Sequence, residues 1–225
     1  MKFSGVQKTS LNDFPGRIAT VLFAPGCNLR CPFCHNWRIV LNPRPPFLHE
    51  AAVLQLLRER TRYVEAVVVT GGEPSIHKEL PKFLMKVKKI GLTIKLDTNG
   101  FFPNVLRDCI PYVDYVAVDV KTSLSKYERL GAKNTEDLLR TLEILKGSDV
   151  EYEFRATVVP GFVDEGDIDK IGEIVKGGMR FVFQKFVPGD TLDKTFNTVE
   201  SYADDVISHF AEIMKPYVEE VLLRV

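Results

Sequence analysis

Cys27, Cys31 and Cys34 stand in one short stretch, Pro25-Gly26-Cys27-Asn28-Leu29-Arg30-Cys31-Pro32-Phe33-Cys34-His35-Asn36, with the spacing C-x3-C-x2-C. Thiolates hold iron-sulfur clusters, and a cubane with only three protein thiolates keeps one iron open to another donor. An open iron implies chemistry rather than simple electron transfer. Two rival readings use the same residues. A structural zinc could take the three cysteines with His35, but His35 directly follows Cys34, whereas zinc sites usually pair ligands from two separated segments. Thiol redox chemistry would use Cys31-Pro32-Phe33-Cys34 as a C-x-x-C pair. It leaves Cys27 without a role and goes with a much smaller fold. The fourth cysteine, Cys109, lies near a predicted helix end before Pro111 and reads as a small buried apolar residue.

Other reactive residue types end apolar runs. Thr70-Gly71-Gly72-Glu73-Pro74 closes one of them. Paired glycines after a strand let the backbone approach a ligand, adopt positive φ and point main-chain acceptors outward, which suits a ligand ammonium. The plainer reading is an ordinary turn with glycine and proline punctuation. Lys95-Leu96-Asp97-Thr98-Asn99-Gly100 and Val118-Asp119-Val120-Lys121 close two more runs and bring two carboxylates to one rim. Such groups are poorly solvated unless they meet a cation, a hydroxyl or backbone donors. The alternative is a solvated aspartate capping the next helix. Arg155, followed by Val158-Val159-Pro160-Gly161, can hold a carboxylate; a surface ion pair with Glu151 or Glu153 would use it differently.

The elements that must position these groups follow from periodicity. Apolar, β-branched runs at 18–23, 64–70, 92–96, 115–120, 152–159 and 181–187 read as buried strands. Helical spacing occupies 49–60, 77–90, an irregular turn near Val105, 136–146 and 168–176. Alternation with short crossovers predicts parallel strands with right-handed connections, and so an α/β fold: an incomplete (β/α)6 barrel with a curved, largely parallel sheet. Loops after strand ends form the ligand-binding rim of such folds, and every motif above sits at one. A last helix over 199–214 and an apolar run over 218–225 are expected to close one side.

A chain of 225 residues with 45% hydrophobic content supports one sizeable core. A single domain over 1–225 is expected, with 17–190 as the barrel core, 1–16 as an N-terminal segment and 191–225 as a C-terminal helix and strand. Thirty basic and thirty acidic side chains cancel, which argues against nucleic acid or an anionic membrane as partner. No signal-peptide core and no apolar run long enough to span a bilayer is visible, so a soluble, cytoplasmic protein is expected. Clustered cysteines suit ligands in a reducing compartment better than a disulfide framework.

The pattern C-x3-C-x-φ-C, with aromatic Phe33 as φ, together with Gly71-Gly72-Glu73-Pro74, resembles the signature of the radical S-adenosylmethionine superfamily over most of the chain. The resemblance implies a [4Fe-4S] cluster on Cys27, Cys31 and Cys34. S-adenosyl-L-methionine would chelate the open iron through its amino and carboxylate groups, with the Gly71–Pro74 segment at the amino group. Cofactor contacts are implied for Phe33, His35, Asn36, Gly71, Gly72, Glu73, Pro74, Asp97, Thr98, Asn99, Asp119, Lys121, Arg155 and Val159. Phe33 and His35 would face the adenine, although an aromatic beside an apolar loop is often simple packing. Asp97, Thr98, Asp119 and Lys121 also match segments that bind a monovalent cation and the cofactor in pyruvate formate-lyase activating enzyme. The sixth strand departs from that pattern: it ends in Pro188-Gly189-Asp190, without a histidine.

The segment from Gly5 to Arg17, with Cys34-His35-Asn36, resembles the glycyl-radical enzyme activating enzymes, and most of all the longer form of anaerobic ribonucleoside-triphosphate reductase activating protein. No cysteine lies between Cys34 and Gly71, which sets aside the extra ferredoxin-like clusters of several other activators. The implied reaction is reductive cleavage of S-adenosyl-L-methionine to a 5'-deoxyadenosyl radical, which abstracts hydrogen from a backbone glycine of a partner reductase. The implied electron donor is a flavodoxin or ferredoxin. Gln7, Lys8, Asp13 and Phe14 could shape partner docking, though a simple hairpin before the first strand is the plainer reading. Pyruvate formate-lyase as partner, a small-metabolite radical enzyme like the carboxy-deazaguanine synthases, and an iron-sulfur electron carrier are the alternatives.

Overall fold

Val67, Val68 and Val69 have no solvent exposure although consecutive strand residues point to opposite faces, so this strand is covered on both sides, as parallel strands are. The computed structural model describes residues 1–224; Val225, the last residue of the expected terminal run, lies outside the described residues. In chain order the elements are β1 (Lys2–Phe3), β2 (Gly5–Ser10), β3 (Ala19–Ala24), α1 (Trp37–Leu41), β4 (Leu48–His49), α2 (Glu50–Arg60), β5 (Ala66–Gly71), α3 (Leu80–Lys88) and β6 (Thr93–Thr98). They continue with α4 (Pro103–Cys109), β7 (Tyr115–Asp119), α5 (Glu136–Lys146), β8 (Glu151–Val158), α6 (Glu165–Val175), β9 (Gly178–Lys185), α7 (Asp204–Met214) and β10 (Val218–Arg224). The six expected strands are β3, β5, β6, β7, β8 and β9.

The chain forms two compact units that interleave in sequence, Met1–Cys27 with Asn36–Thr98 and Phe102–Val116, and Asn28–His35 with Asn99–Phe101 and the chain from Ala117 onward. In the first unit the strand order is β2-β3-β5-β6. β3, β5 and β6 are parallel, and β2 runs antiparallel to β3, which makes the expected hairpin. Ala24 is in register with Gly71, so the chain leaves β3 and β5 at the same level, with Pro25-Gly26-Cys27 beside Gly71-Gly72. A small antiparallel pair of β1 and β4 has no counterpart in the sequence-based expectation. In the second unit β8, β9 and β10 are parallel, with Phe154 opposite Phe181 and Val218 opposite Gly178. The expected terminal run is therefore a strand, β10, joined to β9 through α7.

Helices cover the strands with stripes at helical spacing. α3 buries Leu80, Phe83, Leu84 and Val87, and α7 buries Ile207, Phe210, Ala211 and Met214. Each fully buried side chain of leucine or phenylalanine size contributes about 2 kcal/mol of apolar burial. Boundaries differ from expectation where caps decide them. α6 begins at Glu165 because Asp164 and Asp167 form a capping box there. α3 begins at Leu80 rather than at His77, after a separate 3-10 turn over Pro74–Ile76, and the turn near Val105 is a regular helix, α4. The last helix starts at Asp204, five residues later than periodicity suggests.

Candidate active site

Cys27 and Cys34 are half-buried and Cys31 is buried in the loop after β3. Backbone hydrogen bonds hold this loop along its length. Gly26 N donates to Ile39 O at 2.8 Å, and Arg30 N donates to Leu130 O at 2.7 Å. From the segment after β9, Leu192 N donates to Cys34 O at 3.2 Å and Asp193 N to Pro32 O at 2.8 Å. That brace has no signature in the sequence. Cys109 is different in kind: it is fully buried on α4, and burial pushes its thiol up to about 12, so the thiolate needed for ligation is suppressed. Among the described residues no group of three or more histidine, cysteine, aspartate or glutamate side chains converges on one metal ion. A cubane asks for something else, since each thiolate takes its own iron. A single loop carrying three thiols, anchored by these backbone hydrogen bonds, fits that group.

The Gly71–Pro74 segment is zipped to the start of the cysteine loop. Gly72 N donates to Ala24 O at 2.9 Å, and Glu73 N donates to Gly26 O at 2.8 Å. A Cβ on Gly72 would stand 1.9 Å from Gly26 O, and one on Gly71, whose φ is +114°, would stand 2.5 Å from Ala24 N. Only glycine allows this approach. Asn36 Nδ2 donates to Gly71 O at 2.8 Å, so one of the predicted residues holds another in place. Glu73 turns inward. Its carboxylate, 1% exposed, accepts from Ser75 N at 3.0 Å, from the Ser75 hydroxyl, and from Thr98 Oγ1 at 2.7 Å. Pro74 starts the following 3-10 turn, after which His77 Nε2 lies 2.8 Å from Pro25 O.

At the end of β6, Asp97 pairs with Lys95, whose Nζ donates to Oδ1 at 2.6 Å. Asn99 Nδ2 donates to Asn28 Oδ1 at 2.8 Å and its Oδ1 accepts from Phe101 N at 3.2 Å, tying the cysteine loop to the turn after β6. At the end of β7, Asp119 accepts from Arg155 Nε at 2.5 Å and from Lys121 Nζ at 3.1 Å. Burial alone would raise the Asp119 carboxyl, but the Arg155 guanidinium and then the Lys121 ammonium hold it well below the usual carboxylate range. Arg155 is therefore a partner of Asp119 first. Glu153, fully buried, lies 3.9 Å from Arg155 and takes both arms of Arg224 at 2.9 and 2.7 Å.

The aromatic candidates sit in clusters of the second unit. Phe33 is edge-on to Phe162 at 5.1 Å and to Phe196 at 6.2 Å, while His35 stacks on Phe186 at 6.1 Å with 16° between planes. Val159 is fully buried, and its carbonyl accepts from Phe162 N and Val163 N in the turn after β8. Sequence reasoning missed Ser75, Asn28, Arg224 and Lys95. Of these only Lys95 has a readable signal, because residues two apart on a buried strand share a face, and Lys95 shares one with Asp97.

The profile of the Radical SAM superfamily matches residues 21–171. A protein of Methanocaldococcus jannaschii, named as a glycyl-radical enzyme activating enzyme, is 30% identical over 230 residues, which cover 98% of this chain and 95% of that one. The pyruvate formate-lyase-activating enzyme of Clostridium pasteurianum is 26% identical over 203 residues, 85% of this chain and 83% of its own. Among solved structures, QueE from Escherichia coli superposes with a TM-score of 0.64 over 100% of this chain and 93% of that one; at 18% identity the likeness concerns the fold.

Proposed function

Because the chain belongs to the radical SAM superfamily and aligns over 98% of its length with a protein named as a glycyl-radical enzyme activating enzyme, we propose that it installs the glycyl radical of a partner enzyme, an anaerobic ribonucleoside-triphosphate reductase. It is an enzyme of the family that uses a [4Fe-4S] cluster with S-adenosyl-L-methionine. The observation that carries the reading is the cysteine loop itself, three thiols in one backbone-anchored segment whose start is zipped to Gly71-Gly72.

When bound, the cluster supplies the electron that cleaves S-adenosyl-L-methionine to methionine and a 5'-deoxyadenosyl radical able to take a hydrogen atom. The chain's own part is positioning and exclusion of water. Cys27, Cys31 and Cys34 bind the irons. Asn36 steadies the Gly71 carbonyl, and Glu73 rivets its loop to Ser75 and Thr98 so that the main chain, not the carboxylate, faces the cofactor's amino group. Arg155 and Lys121 keep Asp119 ionised for contacts to the cofactor, and Phe33 and His35 serve the adenine. We read residues 1–225 as one catalytic domain, supplied with electrons by a flavodoxin or ferredoxin in the cytoplasm; no helix among the described residues is long and apolar enough to cross a membrane.

The test is anaerobic reconstitution with iron and sulfide, reduction, and chromatography for 5'-deoxyadenosine, followed by electron paramagnetic resonance on purified candidate partners. A glycyl radical on the reductase, and none on pyruvate formate-lyase, is the expected result. The reverse result would assign the partner that the Clostridium pasteurianum relative favours. Turnover with neither protein, but with a free metabolite, would sink the activating role.

A further inference from the structure

We infer that Lys95 takes the place of the monovalent cation that sequence resemblance assigns to Asp97 and Thr98, so that this protein carries the positive charge in its own chain. Lys95 and Asp97 are two apart on β6 and share a face. Lys95 is 1% exposed and Asp97 is 8% exposed, with Nζ 2.6 Å from Oδ1. A buried ammonium is costly without a counter-charge, and the Asp97 carboxylate supplies one. The pair is neutral as it stands. A sodium or potassium ion on the same carboxylate would set a second positive charge beside the ammonium in a poorly screened interior, where repulsion is strong.

The second unit repeats the arrangement independently. Asp119 receives Arg155 and Lys121, so the other carboxylate that resemblance gives to a cation also has its positive partners in the chain. The residues present therefore do not fit a bound monovalent cation. Lys95 is a positioning residue, acting through the Asp97 carboxylate. The inference rests on the proposed function only for what the charge serves, and its test uses a readout independent of turnover.

That test compares the thermal unfolding midpoint, and equilibrium binding of S-adenosyl-L-methionine, for the anaerobic cluster-loaded protein in sodium, potassium and tetramethylammonium chloride at one ionic strength. The wild-type midpoint is expected to be the same in all three salts, and its dissociation constant to stay within about twofold. Lys95→Met is expected to melt earlier in tetramethylammonium and to regain stability in sodium or potassium, a rescue that a merely structural lysine would not show. Lys95→Arg, which keeps the charge, is expected to stay indifferent to the salt. A wild-type midpoint or affinity that rises with sodium or potassium overturns the inference whether or not Lys95→Met folds, as does a folded Lys95→Met that melts alike in every salt. Failure to bind S-adenosyl-L-methionine in any salt counts against the proposed function and leaves the melting comparison decisive for Lys95.

Discussion

Thr98 Oγ1 donates to Glu73 Oε1 at 2.7 Å, which fastens the loop after β5 to the end of β6. Both side chains are buried, so the bond is the alternative to a desolvated carboxylate lacking one of its donors. Thr98→Val keeps the shape and removes that donor. It is expected to destabilise the protein by about 1–3 kcal/mol, the cost of a buried polar group losing a partner. Urea denaturation of both proteins measures this, and a difference near zero would show that Ser75 alone satisfies Glu73.

The proposed function divides the cysteines into three ligands and one filler, Cys109. Cys31→Ala is expected to abolish both cluster absorbance after reconstitution and 5'-deoxyadenosine production. Cys109→Ala is expected to retain its iron and to lose only about 1 kcal/mol of stability from the small cavity. Iron and sulfide assays per chain check both, and iron loss in Cys109→Ala would contradict the assignment.

Backbone approach sets the tolerance of the glycine pair. Gly72→Ala would drive a methyl group into Gly26 O, a backbone atom that cannot swing aside, and is expected to separate the loops and cost more than about 2 kcal/mol. Gly161→Ala meets nothing within 4 Å and suffers only from its φ of +82°, a cost of about 1 kcal/mol. Thermal melts of the two variants should rank in that order.

Acid should expose the Asp119 pair. Its folded carboxyl lies below the ordinary value of 3.8, so its contribution to stability is complete above that value and is lost as pH falls from there through the lower folded value. Asp164 and Asp167, depressed against burial by hydrogen bonds that include Lys126, act in the same direction. The stability gap between wild type and Asp119→Asn is therefore expected to be flat between neutral pH and about pH 5 and to shrink below about pH 4. Denaturation midpoints across that range provide the check; a gap that widens in acid would reverse the sign of the argument.

Most of the scaffold is legible in the order and type of the residues. Six apolar runs are six strands because burial on both faces demands continuous apolar character, and β branching favours the extended chain. Element ends are less legible. Asp164 and Asp167 move the start of α6 back to Glu165 through reciprocal capping, and the brace from Leu192 and Asp193 to the cysteine loop uses backbone groups that carry no residue signature. The small β1 and β4 pair is likewise invisible, being two residues in each strand.

What the sequence by itself determined is local: three thiols at a fixed spacing, a glycine pair after a strand, and the strand and helix periods that place both at a rim. Chain spacing and conformational freedom are properties of neighbouring residues, and they survive without a fold. The tertiary structure decided which distant polar and charged groups meet. Asp119 finds Arg155, Glu153 finds Arg224 and Glu73 finds Thr98 because strand register and loop packing bring distant residues within hydrogen-bond reach. A buried charge is stable only beside its partner, and where that partner is distant in sequence it is chosen by the packing of the chain rather than by any motif.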